Sequence, residues 1–273
     1  MKLHKSSLAL MGVMFTGAVM ASVTEYTNPV SSGDMPDPTI WQGNGKYYAA
    51  STGQTIYESG NLVDWFETGN RLLEAEEYEW IRSKNAYSGV WAPDVVKFGE
   101  WYHLYICFWN RGNHTMIACY RSKNPAGPFT DRAVILTSEG AGKHEVIDPE
   151  VVRDPATGRV WMFFGHGSVR RVELNADGRS VKKGAPIVHV AGIARGEPRP
   201  KADSPVYGSQ FCEGPYLHFN NGKWYMFVSH GAWGDHTYRM LVGRADSLDG
   251  EFLDKQGRKL SEGWGTLVLS SGK

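Results

Sequence analysis

The chain has 273 residues, enough for one large domain or two small ones, and its 29 basic and 29 acidic residues balance. No broad field of either sign exists to attract nucleic acid or an anionic membrane. Ten Trp, thirteen Tyr and 32 Gly point to an all-β chain with many turns.

Residues 1–21 read as an export signal. Lys2 and Lys5 precede the apolar run SLALMGVMFTGAVM, and Ala21 offers a small residue for cleavage, with Val19 two before it. The run is too short and too rich in small residues for a settled membrane span. A mature, soluble chain of residues 22–273 is expected in the periplasm or medium, as one domain and a monomer.

The first strand unit opens at MPDPTIW, with Asp37 before Pro38, then a QGNGK turn and the aromatic strand YYAAS. RLLEAEEYEWIR is the one helix-like stretch and falls between units. The second unit opens at VWAPDVVKF, turns at GE, and continues as WYHLYICFW and TMIACYRS. Cys107 and Cys119 flank its hairpin diagonally rather than face to face, so they and Cys212 read as buried thiols. The third unit opens at VIDPEVV, with Asp148 before Pro149, and runs through DPATGR to VWMFFGHG and VRRVELN.

A long connection rich in Gly, Pro and charge, VAGIARGEPRPKADSPVYGSQF, reads as a loop at a pocket rim. The fourth unit opens at CEGPYLHF, with Glu213 two residues before Pro215, turns at NNGK, and continues as WYMFVSHG and YRMLVGRAD. In HGAWGDHTY, His230, Asp235 and His236 fit no standard metal spacing and read as a surface hairpin loop.

The four prolines recur roughly every 55–66 residues, each followed by the same order of short strand, turn and aromatic strand. A unit of about 50 residues with about four antiparallel strands describes a propeller blade, whose first strand lines a central channel. A set of unrelated hairpins in a sandwich is the competing architecture. In the propeller, Asp37, Asp148 and Glu213 open strands that converge on one axis. A lone Asp-Pro is usually a turn cap, but three acids on one axis are chemical equipment. Two carboxyl groups across a pocket suit glycoside hydrolysis, one donating a proton to the leaving oxygen and one activating water. A third can raise the donor's pKa by like charge. Trp91, ahead of the second proline, either stacks on sugar or packs between blades.

The stretches DPTIWQGNGKYYAAST, VWAPDVV, VIDPEVV, FGHGS and EGPYLHFNNGKWYMFVS resemble glycoside hydrolase family 43. Together with TYRMLVGRADSLDGEFLDKQGRKLSEGWGTLVL they are most similar to its arabinan endo-1,5-α-L-arabinosidases. The resemblance implies a five-bladed propeller and inverting hydrolysis of α-L-arabinofuranosyl or β-D-xylosyl links in arabinan or arabinoxylan oligosaccharides. It implies Asp37 as general base, Glu213 as general acid, and Asp148 as the group that tunes and orients Glu213. It makes Asp94 a binding or structural group. It also implies a pocket-lining GS pattern, filled by Gly167 and Ser168 or, in an alternative fit, with His166 facing in. No cofactor is required. A structural calcium is compatible with the family, but its histidine lies in a fifth blade to which no residue here can be assigned. The chain is therefore expected to lack most of that blade and to expose two blade faces. Exo-acting arabinofuranosidase or β-xylosidase action, and carbohydrate binding without catalysis, are the rival functions. Retention of all three acids argues against the last.

Overall fold

The computed structural model describes residues 25–28, 30, 33–83, 87–110, 114–193 and 211–270. The proposed signal and most of the connection before Phe211 lie outside the described residues. Among the described residues, sixteen strands form four antiparallel sheets, each of four strands in chain order. Blade 1 holds β1 (Thr39–Gly43), β2 (Lys46–Ala50), β3 (Thr55–Ser59) and β4 (Phe66–Arg71). Blade 2 holds β5 (Tyr87–Phe98), β6 (Trp101–Asn110), β7 (Thr115–Ser122) and β8 (Thr130–Thr137). Blade 3 holds β9 (Glu150–Arg153), β10 (Val160–Phe164), β11 (Ser168–Leu174) and β12 (Val188–Gly192). Blade 4 holds β13 (Cys212–Asn220), β14 (Lys223–His230), β15 (Arg239–Ala245) and β16 (Thr266–Ser270). The helix-like stretch gives α1 (Ala75–Ser83) between blades 1 and 2, and no described helix is long and apolar enough to cross a membrane.

Two Asn-Gly pairs make the tight hairpins that the sequence announces. Gly43 pairs with Lys46 around Asn44 and Gly45, and Asn220 pairs with Lys223 around Asn221 and Gly222. All four turn residues have positive φ, the requirement of a type I′ turn, which Asn and Gly meet at least cost.

Inner strands β1, β5, β9 and β13 neighbour one another in that order, which makes the four sheets blades around an axis. Alternation along a strand then serves two cores at once. On β6, Leu104, Ile106 and Phe108 join Trp41, Ile56 and Leu72 between blades 1 and 2. Tyr105 and Cys107 point the other way, into the core with Met162, Phe164 and Val172 between blades 2 and 3. On β10, Trp161 and Phe163 face Met226, Val228 and Leu241 between blades 3 and 4. Each such fully buried side chain contributes about 1.5–3 kcal/mol of transfer free energy, an upper estimate. The three cysteines are free and buried, and Cys119 pairs in register with Tyr105 rather than with Cys107.

A second device joins the inner strands. The residue after each proline accepts a hydrogen bond from the second residue after the next blade's proline. Val95 N–H donates to Thr39 Oγ1 at 3.2 Å, Val151 N–H to Asp94 Oδ2 at 2.8 Å, and Leu217 N–H to Glu150 Oε1 at 2.9 Å. The corresponding residue of blade 4, Tyr216, is 55% exposed, and Ile40 of blade 1 is 56% exposed. The series therefore runs across three blade junctions, and the outward faces of blades 1 and 4 carry apolar side chains in solvent.

Candidate active site

The proline register sets the site. Asp37 and Asp148, each directly before its proline, sit in the left-handed region at φ 53° and 51°. Asp tolerates that region better than most residues, yet it remains a costly place for a side chain, and such residues concentrate at functional sites. Blade 4 repeats the conformation at the same position with Gly214, φ 57°. Its acid has moved one residue upstream to Glu213, and a register irregularity follows between Glu213 and Tyr216. In blade 2 the pre-proline residue is Ala92, which shows no positive φ.

Each acid has its own hydrogen-bond partner. Thr52 Oγ1 donates to Asp37 Oδ2 at 2.7 Å. Gly214 N–H donates to Asp148 Oδ2 at 3.1 Å, so the backbone beside Glu213 holds the carboxyl of blade 3. The Tyr238 hydroxyl donates to Glu213 Oε1 at 2.9 Å. Glu213 Oε2 faces His166 Nε2 at 3.6 Å, and the other ring nitrogen of His166 is hydrogen-bonded to Glu145.

The electrostatics join the three acids into one group. Burial, then the charges of Glu213 and Asp37, push the Asp148 carboxyl up to about 8, against the pull of the Gly214 N–H. Burial likewise raises Glu213, with Asp37 and Glu145 adding to it, while the Tyr238 hydroxyl and His166 oppose it. Three carboxyl groups contributed by blades 1, 3 and 4 thus share one field, the convergence expected from the repeat.

The secondary positions divide. His166 lies beside Glu213, whereas Ser168 is buried and its hydroxyl accepts Arg170 Nη1 at 2.8 Å, so of the two fits of FGHGS the one with His166 inward is found. Asp94 takes the structural alternative, because it is buried and binds Val151 N–H. Trp91 packs against the core between blades 2 and 3 and stacks on Trp109, with centroids 5.5 Å apart and planes at 19°, while keeping partial exposure. In the HGAWGDHTY loop His230 is buried, and Asp235 is spent on the backbone and hydroxyl of Thr237. Among the described residues no three His, Cys, Asp or Glu side chains group as metal ligands.

Thr52, Glu145 and Tyr238 were not singled out from the sequence. No local pattern marks them, since Thr52 meets Asp37, Tyr238 meets Glu213 and Glu145 meets His166 only across a hairpin or between loops. A cavity of about 700 Å³ on blade 4, lined by Lys223, Arg244, Asp246, Glu251 and Lys255 among others, includes none of the three acids. The convergent carboxyl groups, rather than that cavity, therefore identify the site.

Known proteins resemble this chain over most of its length. The model of the glycosyl hydrolases family 43 matches residues 26–266. An extracellular exo-α-(1→5)-L-arabinofuranosidase of Cellvibrio japonicus is 29% identical over 255 residues, 88% of this chain and 72% of that protein. An extracellular endo-α-(1→5)-L-arabinanase of Bacillus subtilis is 28% identical over 284 residues, 98% of this chain and 82% of that protein. The solved structure of a Cellvibrio cellulosa α-L-arabinanase complexed with arabinohexaose superposes with a TM-score of 0.73 at 26% identity, covering 88% of this chain and 80% of that one.

Proposed function

We propose that this chain, a glycosidase that belongs to glycosyl hydrolase family 43, is an exported enzyme that cleaves α-1,5-L-arabinofuranosyl links in arabinan with inversion. The observation that carries the reading is the shared field of Asp37, Asp148 and Glu213. Inverting hydrolysis needs a carboxylate to activate water and a protonated carboxyl on the far side of the scissile bond. Asp37, exposed and steadied by Thr52, takes the first role. Glu213, raised by burial, takes the second, with Oε1 occupied by Tyr238 and Oε2 left to carry the proton. Asp148 draws its hydrogen bond from Gly214, adjacent to Glu213, and so orients the acid, and the like charges of the two groups, which help push Asp148 up to about 8, let the pair keep a proton. Trp91, partly exposed, supplies an apolar face for a furanose ring. Export is supported by residues 1–21 and by the extracellular relatives.

The exo-acting relative from Cellvibrio japonicus supports a second reading on the same scaffold, release of single arabinose units from chain ends. Product analysis on debranched arabinan, with arabinoxylan and an aryl arabinofuranoside in parallel, separates the two. Mixed oligosaccharides at early times are expected. Arabinose alone favours exo action, and no hydrolysis of any arabinofuranoside overturns the assignment.

A further inference from the structure

An acid that gives up a proton in every turnover must be reloaded. The two carboxyl oxygens of Glu213 are not equivalent in this respect. Oε1 is held by the Tyr238 hydroxyl, and Oε2 faces His166 Nε2 at 3.6 Å. On the far side of the ring, Nδ1 is hydrogen-bonded to Glu145 Oε2. The ring face is stacked on Phe211, with centroids 4.9 Å apart and planes at 12°. These contacts fix the ring plane and aim Nε2 at the acid.

The same groups lead outward to solvent. Side-chain exposure rises from 13% at Glu213 to 30% at His166 and 34% at Glu145. The hydrogen bond to Glu145 holds the His166 imidazolium above the usual histidine range, with Glu213 and Asp148 adding to it against the cost of burial. The ring in turn holds Glu145 below the usual carboxylate range. Asp37 and Tyr238 complete the groups facing Glu213. A charged ring, anchored by a carboxylate and directed at a carboxylate that has just lost its proton, is equipped as a donor.

We propose that Glu145 and His166 form a proton-return relay that reloads Glu213 after each bond cleavage. The inference rests on the reading of Glu213 as the general acid. In the step, the Nε2–H bond breaks and an Oε2–H bond forms, which leaves neutral His166 as the Nδ1–H tautomer on Glu145. Water or a buffer acid at the exposed ring edge returns a proton to Nε2. The proton that Asp37 takes from the attacking water passes from that exposed side chain to solvent, so each cycle consumes one water and no net proton.

Reloading follows cleavage, so it enters kcat and not kcat/KM. The test measures both constants for wild type, His166→Asn and Glu145→Gln on debranched arabinan in dilute, bulky buffer, with and without added imidazole. His166→Asn is expected to lose at least about tenfold in kcat, with a smaller loss in kcat/KM, and imidazole is expected to restore much of the deficit. Glu145→Gln is expected to fall between it and wild type. An aryl arabinofuranoside whose leaving group departs as an anion does not discharge Glu213, so the loss in kcat on that substrate is expected to be several-fold smaller. Equal losses in kcat and kcat/KM on both substrates without rescue, or an unchanged kcat on arabinan, overturn the relay. NMR titration of the imidazole gives a readout independent of turnover. His166 is expected to titrate above the ordinary value and to fall toward it in Glu145→Gln, and identical titration in both overturns the anchoring on which the relay depends. A wild type that cleaves no arabinofuranoside refutes the assigned reaction, while the titration still decides the Glu145–His166 pairing.

Discussion

Gly214 stands in blade 4 where Asp148 stands in blade 3, with the same left-handed backbone, and its N–H donates to the Asp148 carboxylate at 3.1 Å. Two copies of one repeat position have thus taken complementary parts. One keeps the side chain and becomes the acceptor, while the other loses its side chain and presents its backbone as donor. The missing acid is recovered one residue earlier as Glu213, whose carboxyl reaches Tyr238 and His166 instead. The asymmetry among the three acids therefore comes from a one-residue displacement on a symmetric frame, and it supplies the unequal environments that acid and base roles require.

Asp148→Asn isolates the charge in this arrangement. Asn also tolerates positive φ, so the backbone at Pro149 is expected to hold and the melting temperature to change little. Burial and like charge hold a proton on Asp148 up to about 8, and without that partner the last proton of the Asp148–Glu213 pair is lost at lower pH. Glu213 must be protonated to act, so the alkaline limb of the kcat/KM profile is expected to move toward lower pH, with turnover at pH 7 reduced at least about tenfold. A pH–rate profile on arabinan checks this, and an unmoved alkaline limb would show that Asp148 does not tune the acid.

Tyr238→Phe is expected to move the same limb the other way. The hydroxyl donates to Glu213 Oε1 and stabilises its charged form. Its loss leaves the neutral acid favoured, so the alkaline limb should extend to higher pH while kcat falls several-fold through looser orientation of the carboxyl. Opposite displacements in the Asp148→Asn and Tyr238→Phe profiles would distinguish tuning of Glu213 from general damage to the pocket, because damage gives no reason for opposite signs.

The parts of the molecule that were legible in the sequence are those written in local pattern. The proline register, the Asn-Gly turns and the aromatic strands gave four blades, and the register in turn brought Asp37, Asp148 and Glu213 together. FGHGS could be read two ways because a one-residue shift exchanges His166 and Ser168, and the burial of Ser168 against Arg170 decides between them. What stayed hidden was contact between distant segments. Nothing near Tyr238 or Glu145 announces that one meets Glu213 and the other His166. The family resemblance leaves Asp94 open as a binding or structural group. Only the position of Val151, a full blade away, shows where that carboxylate is spent.

The joint between blades 2 and 3 offers a pH-dependent test of that last point. Burial pushes the Asp94 carboxyl up to about 7, against the pull of the Val151 and Val95 N–H groups. A raised carboxyl binds its proton more tightly in the folded than in the unfolded chain. Its contribution is therefore fully present below the unfolded value of about 3.9 and is lost as pH rises through about 7. Asp94→Asn keeps an oxygen to accept the Val151 N–H but does not titrate. Buried His103 and His230, lowered to about 4 and about 3 chiefly by burial, work in the opposite sense, gaining stability as pH rises toward the ordinary histidine range. They are common to both proteins and drop out of the comparison. The melting temperature of Asp94→Asn minus that of wild type is accordingly expected to become more positive between pH 5 and about pH 8.5. Asp94→Ala, which leaves the Val151 N–H buried without its partner, is expected to cost about 1–3 kcal/mol at any pH in that range. Thermal melts of the three proteins across the range check both expectations. A difference between Asp94→Asn and wild type that stays flat would show that Asp94 does not change charge in the folded chain, and that the stitch between blades 2 and 3 is held by one protonation state throughout.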